Sequence, residues 1–144
     1  MLGRTVLDTD VVVAAVRSDR GASRVLLTAA LQQRYVVVAS VPLMLAYEAV
    51  LTRPEHLAAA QISTADVETL LDAIAVVADP VRMSYLWRPT LPDADDDLVL
   101  ETAVHGGAEV LVTFNRRDFE PAARPFGLAI LAPAEAVRRL ENRL

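Results

Sequence analysis

Carboxylates gather at three places in this chain: Asp8-Thr9-Asp10 near the start, Asp93-Ala94-Asp95-Asp96-Asp97 with four acids in five residues, and Asp118 at the end of Asn115-Arg116-Arg117-Asp118. Neighbouring carboxylates repel one another, and nothing inside the central run supplies a cation. Clustered acids without bases either hold protons or bind a metal ion. An all-oxygen set favours Mg²⁺ or Mn²⁺, with waters completing the shell. Such an ion acidifies an attacking water and neutralises charge on a phosphate. The candidate chemistry is therefore metal-assisted phosphodiester hydrolysis, with Asp8, Asp96, Asp97, Asn115 and Asp118 as the oxygen-bearing set.

Composition removes several other classes. There are no cysteines, so disulfides, thiolate metal sites and cysteine nucleophiles are excluded, and two histidines are too few for an imidazole centre. All fourteen basic residues are arginine, so chemistry that needs a lysine ammonium or Schiff base is out of reach. That removes receiver domains and aspartate-nucleophile phosphatases, which place acids at strand ends but also use a lysine on the phosphoryl group. The net charge of −5 argues weakly against a general nucleic-acid coat, although a local arginine patch beside a metal-filled site can hold a phosphate backbone. At 144 residues and 53% hydrophobic content, the expectation is one globular domain over 1–144. No apolar run is long enough to span a bilayer, and no cleavable signal is evident, so the expected compartment is the cytoplasm.

The acids need elements to position them. Residues 5–7 read as a strand apolar on both faces, which puts Asp8 at its carboxyl end, followed by a helix over 11–16. Ser23 is placed to cap a helix to about residue 34, 35–39 reads as a second strand, and Ser40 caps a helix over 41–51. A short helix over 55–60 and a longer one from Thr64 follow, then a strand at Val76-Val77 before a turn at Asp79-Pro80. Trp87 could stack on a base, though packing is its commoner use. Asp93 or Asp95 caps the next helix; Asp96 and Asp97, four and three residues before Leu100, share its inward stripe while Asp95 leans off it. Gly106-Gly107 stops that helix, and 110–112 is a buried strand, leaving Asn115 and Asp118 beyond its carboxyl end. A strand over 128–131 and a helix over 133–142 close the chain. Alternating strands and helices predict an α/β fold, a parallel sheet covered on both faces, with the acids meeting at one edge.

Each acid also has a plainer use. Asp8 serves equally as an Asx-turn or helix cap, and the central run as caps plus a solvated loop. Glu48, roughly 200° round its helix from position 46, reads as a solvated face.

Three stretches in order, Val6-Leu7-Asp8-Thr9-Asp10, the acid-rich helix start at 93–97, and Val112-Thr113-Phe114-Asn115-Arg116-Arg117-Asp118-Phe119, make the chain similar to PIN domains. It resembles most the VapC-like toxins of bacterial toxin-antitoxin pairs. The resemblance implies a three-layer α/β/α sandwich with a mostly parallel sheet, and Mg²⁺- or Mn²⁺-dependent cleavage of RNA. It also implies a cognate antitoxin and a homodimer. By that resemblance Asp8 is the first acid and Asp97 the third, both metal-directed. Asp96 is an adjacent helper, and the fourth acid falls at Asn115 or is supplied by Asp118. Arg116 and Arg117, in the same loop, become candidates for RNA contact.

One position departs from the pattern. The second acid of the family precedes the residue that is Tyr47 here, and that position holds Ala46. Three readings stay open: a naturally impaired chain, recruitment of Glu48, or a deliberately inactivated form of a toxic enzyme. The rival function is a PIN fold that has lost catalysis and holds RNA or a protein partner.

Overall fold

The computed structural model describes residues 2–82 and 94–142. The expectations for Trp87 and for Asp93 as a cap lie outside those residues. Three strands, β1 (Thr5–Leu7), β4 (Val110–Val112) and β5 (Ala129–Leu131), pair in parallel in the order β1-β4-β5. A second parallel pair, β2 (Val38–Ser40) with β3 (Asp79–Val81), joins them through a bridge between Thr5 and Val37 and the Thr5 N–H on the Val36 carbonyl at 2.9 Å. The composite order is β3-β2-β1-β4-β5, and every strand points the same way.

The connections follow from that order. Helices α1 (Thr9–Arg17), α2 (Ala22–Leu31), α3 (Val41–Leu51), α4 (Pro54–Ala60) and α5 (Thr64–Val77) carry the chain outward from β1 to β3. Helix α6 (Ala94–His105) crosses back beneath β1, β2 and β4, and α7 (Arg116–Ala123) packs beside it against β5. Right-handed crossovers in opposite directions put these two groups on opposite faces of the sheet. The closing helix α8 (Pro133–Glu141) lies against α2. The result is the three-layer α/β/α sandwich, with Val6, Leu111 and Val112 buried from both sides and Leu100, Ala103 and Phe119 filling one interlayer.

Local chemistry explains where elements differ from expectation. Helix α1 starts at Thr9 because Asp8 caps it. Ser23 does not cap α2: Gly21 holds that position and Ser23 is buried in the first turn. The second strand is shorter than residues 35–39, because Tyr35 turns its hydroxyl to the Leu26 carbonyl at 2.7 Å. Val76-Val77 is no strand; it is the last turn of α5, a helix whose Ser63-Asp66 capping box fixes its start. The strand is Asp79–Val81 instead, where Pro80 is tolerated because β3 is an edge.

Gly106 closes α6 where two strands and a helix end meet. A Cβ there would lie 2.6 Å from both Val38 Cγ1 and Val81 Cγ2, and the next residue, Gly107, takes φ +61. Only glycine fits the first for space and suits the second for backbone.

Candidate functional site

The chain leaves β1 toward β2 but leaves β4 toward β5, so neighbouring connections part between the carboxyl ends of β1 and β4. That crevice is the switch point at which open α/β sheets place ligands. Asp8 stands at its rim on β1. The Asp8 N–H extends the β1–β4 ladder to the Val112 carbonyl at 2.9 Å, and its carboxylate accepts the Thr9 N–H at 2.7 Å. From the β4 side, Thr113 Oγ1 donates to Asp8 Oδ2 at 2.7 Å and accepts the Asn115 N–H at 2.9 Å. Asp10 reaches across the same crevice. Its Oδ2 accepts the Phe114 N–H at 3.2 Å and Asn115 Nδ2–H at 3.1 Å.

The two acids sit in low dielectric. Asp8 is 3% exposed, and burial first, then the Asp10 charge, pushes its carboxyl up to about 6, against the pull of the Thr113 and Thr9 donors. Asp10 is also raised, by burial above all, with the Asp96 charge adding to it. Asp10 Oδ1 is buried with no hydrogen-bond partner among the described residues. Behind them Tyr47 donates its hydroxyl to the Leu7 carbonyl, and burial, then the Asp8 charge, raises that hydroxyl as well. An unsatisfied buried carboxylate oxygen beside a second raised carboxyl is what a divalent cation relieves, and all the donors are hard oxygens.

The candidates from the sequence are distributed as follows. Asp8 and Asn115 meet in the crevice through Thr113 and Asp10. Asp96 is half-buried on α6 and lines the groove that Asp10 opens into. Asp97, 7% exposed, lies on the inward stripe of α6, and its charge adds to burial in raising Glu101 while His105 opposes. Asp118 is exposed in the first turn of α7. Among the described residues, no group of three Asp, Glu, His or Cys side chains is placed to hold one ion; of the acids expected to gather, Asp8 and Asp97 are buried and Asp118 is exposed. Asp10 links two of the acids electrostatically: its charge raises Asp8, and the Asp96 charge raises Asp10.

A groove of about 670 Å³ runs from these acids along α1. Asp10, Val13, Ala14 and Arg17 are its α1 wall, recurring at helical spacing. Val50, Arg53 and His56 face them from α3 and α4, and Phe114 closes the β4 side. Arg116, by contrast, is tied to Glu135 at 2.7 Å and Glu120 at 3.2 Å, while Arg117 is exposed. Sequence reasoning did not single out Asp10, Arg17, Arg53, His56 or Phe114 as site residues. Asp10 and Arg17 left a signal, seven residues apart on one helix face; Arg53 and His56 left none, because the α3–α4 corner that turns them inward is tertiary. On α3, Ala46 is half-buried, one turn before Val50, and Glu48 is exposed.

Known proteins carry the same plan. A structure it resembles is VapBC2 from Rickettsia felis bound to a DNA fragment from their promoter, with a TM-score of 0.55 and 15% identity over 90% of this chain and 98% of that one. At that identity the likeness speaks to the fold. No curated protein sequence matches. The PIN domain family model matches residues 4–117, a span that holds all five residues of the crevice, Asp8, Asp10, Asp96, Thr113 and Asn115, and on that match this chain belongs to the PIN domain family.

Proposed function

We propose that this chain is a divalent-metal-dependent endoribonuclease of the PIN toxin type, hydrolysing RNA phosphodiester bonds with Mg²⁺ or Mn²⁺. The observation that carries the reading is the pair Asp8 and Asp10, both raised above all by burial, with Asp10 Oδ1 buried and unpartnered among the described residues, at the switch point between β1 and β4. Asp8 and Asp10 would hold the ion, with Asp96, Asp97 and Asp118 as the further acids the family pattern nominates. When bound, a divalent ion there supplies a more acidic water and neutralises phosphate charge. Thr113 fixes the orientation of Asp8, and Asn115 does the same for Asp10. Backbone phosphates are drawn by the arginines of the groove, with Arg116 and Arg117 just beyond Phe114.

The setting follows from the same reading. A cognate antitoxin and a second copy of the chain are the proposed protein partners; the similar structure is VapBC2 bound to a DNA fragment from their promoter. Among the described residues no helix is long and apolar enough to cross a membrane, in keeping with a cytoplasmic enzyme. Ala46 favours a second reading, a PIN fold that binds RNA or a partner without cutting, because an alanine stands where the pattern has an acid.

Calorimetric titration with Mn²⁺, run beside cleavage of a single-stranded RNA panel, tests the proposal. Saturable binding that Asp8→Asn weakens at least tenfold is expected. Absence of binding in the parent chain, or binding indifferent to Asp8 and Asp10, would remove the metal centre and the nuclease with it.

A further inference from the structure

Phe114 is 55% exposed, an unusual position for a large apolar ring next to two carboxylates. Its backbone N–H is committed to Asp10 at 3.2 Å, so the residue is held in fixed relation to the acids while its side chain lines the groove. Val13, Ala14 and Val50 give the groove an apolar floor beside that ring. At the other end, Arg17 lies seven residues along α1 from Asp10, about 10 Å at helical rise, and Arg53 faces it across the groove. Among the described residues neither guanidinium has a hydrogen-bond or ion-pair partner. The groove therefore combines acids, an aromatic and apolar surface, and cations, with Asp10 and Arg17 at opposite ends of its α1 wall.

We propose that this groove is a nucleotide subsite: one unstacked base of the RNA lies on Phe114 over Val13 and Val50, and the phosphate beyond it is held by Arg17 and Arg53. The inference rests on the nuclease reading, which puts the scissile phosphate at the acid end. A single strand matches the sequence of surfaces, since each nucleotide offers an anion, a π-face and the next anion in turn. A duplex does not, because its bases are already stacked on both sides. An acidic peptide would meet the Asp10 and Asp96 carboxylates with no base to place on the ring. Phe114 thus selects for unpaired RNA, and its neighbours set which side of the cut is gripped.

The test uses the full chain and fluorescence anisotropy of a short labelled oligouridylate, in Ca²⁺ so that binding is read without turnover. Phe114 is exposed, so Phe114→Ala is expected to fold as the parent does, a point checked by circular dichroism. It should weaken binding roughly tenfold, with Phe114→Trp restoring it. An oligonucleotide with one abasic unit should lose a similar factor on the parent and little more on Phe114→Ala. Arg17→Gln with Arg53→Gln should flatten the plot of log affinity against log salt by about 0.7 for each phosphate no longer neutralised. A parent chain that binds no RNA overturns the subsite together with the nuclease reading. A parent that binds, with Phe114→Ala and the arginine pair binding equally well on the same salt slope, overturns the subsite alone. A flattened slope with no effect of Phe114→Ala overturns the base-stacking half, leaving only a phosphate clamp.

Discussion

Asp8 bears two demands at once: its carboxylate caps α1 and faces Asp10 in a buried crevice. With a folded value of about 6 against an ordinary 3.8, the folded chain keeps a proton that the unfolded chain releases. Stability from this group is therefore fully present below about pH 4 and is lost as pH rises to about 6. Asp8→Asn should remove that dependence and raise stability at pH 7 by about 1 to 2 kcal/mol, less than the full shift because one amide hydrogen now faces a donor. The check is urea unfolding of both proteins between pH 4 and 7, where their difference should grow with pH; equal stabilities throughout would mean Asp8 carries no such strain. The placement of Asp8 was legible in the sequence, because an apolar run ended on it. The part taken by Asp10 was not, since its partners Phe114 and Asn115 are 104 and 105 residues away. Local patterning reports the end of a strand but not which distant loop will meet it.

Helices α1 and α3 pack side by side, and both line the groove, α1 with Asp10, Val13, Ala14 and Arg17 and α3 with Val50. Ala46 is half-buried one turn before Val50, on the same side of α3. A glutamate at 46 would extend into the acid end, whereas Glu48 is exposed on another face. Ala46→Glu is accordingly expected to raise Mn²⁺-dependent RNA cleavage at least tenfold over the parent, and Glu48→Ala to change it less than twofold. Abolition of cleavage by Glu48→Ala would show that Glu48 is the second acid. The orientation of α3 could be read from helical period alone because Leu43, Tyr47 and Leu51 form one stripe. The third strand could not. Val76-Val77 has the β-branched composition of a strand, yet Val76 is 82% exposed at the end of a helix whose start is fixed by Ser63 and Asp66. Helix propagation from a strong cap outweighed local β propensity, and the short edge strand after it carried a proline that disguised it.

Across the whole molecule, the β2–β3 pair meets β1 through one short bridge, and Arg4 reinforces the seam. It donates to the Gly106 carbonyl from Nη2 at 2.7 Å and Nε at 3.2 Å, and pairs with Asp79 through Nη1. Arg4→Gln should cost on the order of 1 kcal/mol, most of it from the backbone carbonyl since the ion pair is part-exposed. Gly106→Ala should cost more, roughly 1 to 3 kcal/mol, by forcing Val38 and Val81 apart. Denaturant melts that place Gly106→Ala within error of the parent would show that the seam gives way easily. The crevice itself is assembled from opposite ends of the described chain: β1 pairs with β4, Leu7 against Val112, and Thr113 and Asn115 lock onto Asp8 and Asp10. During synthesis the first acids emerge early, but their environment cannot form until β4 and the turn after it have also left the ribosome. A nascent or prematurely released chain that stops short of Asn115 carries Asp8 and Asp10 in open water, where nothing buries them or holds them in register. If the chain is the nuclease proposed, a cell making it is spared by topology from its unfinished copies, and any partner that recognises the assembled crevice meets only chains extending past β4.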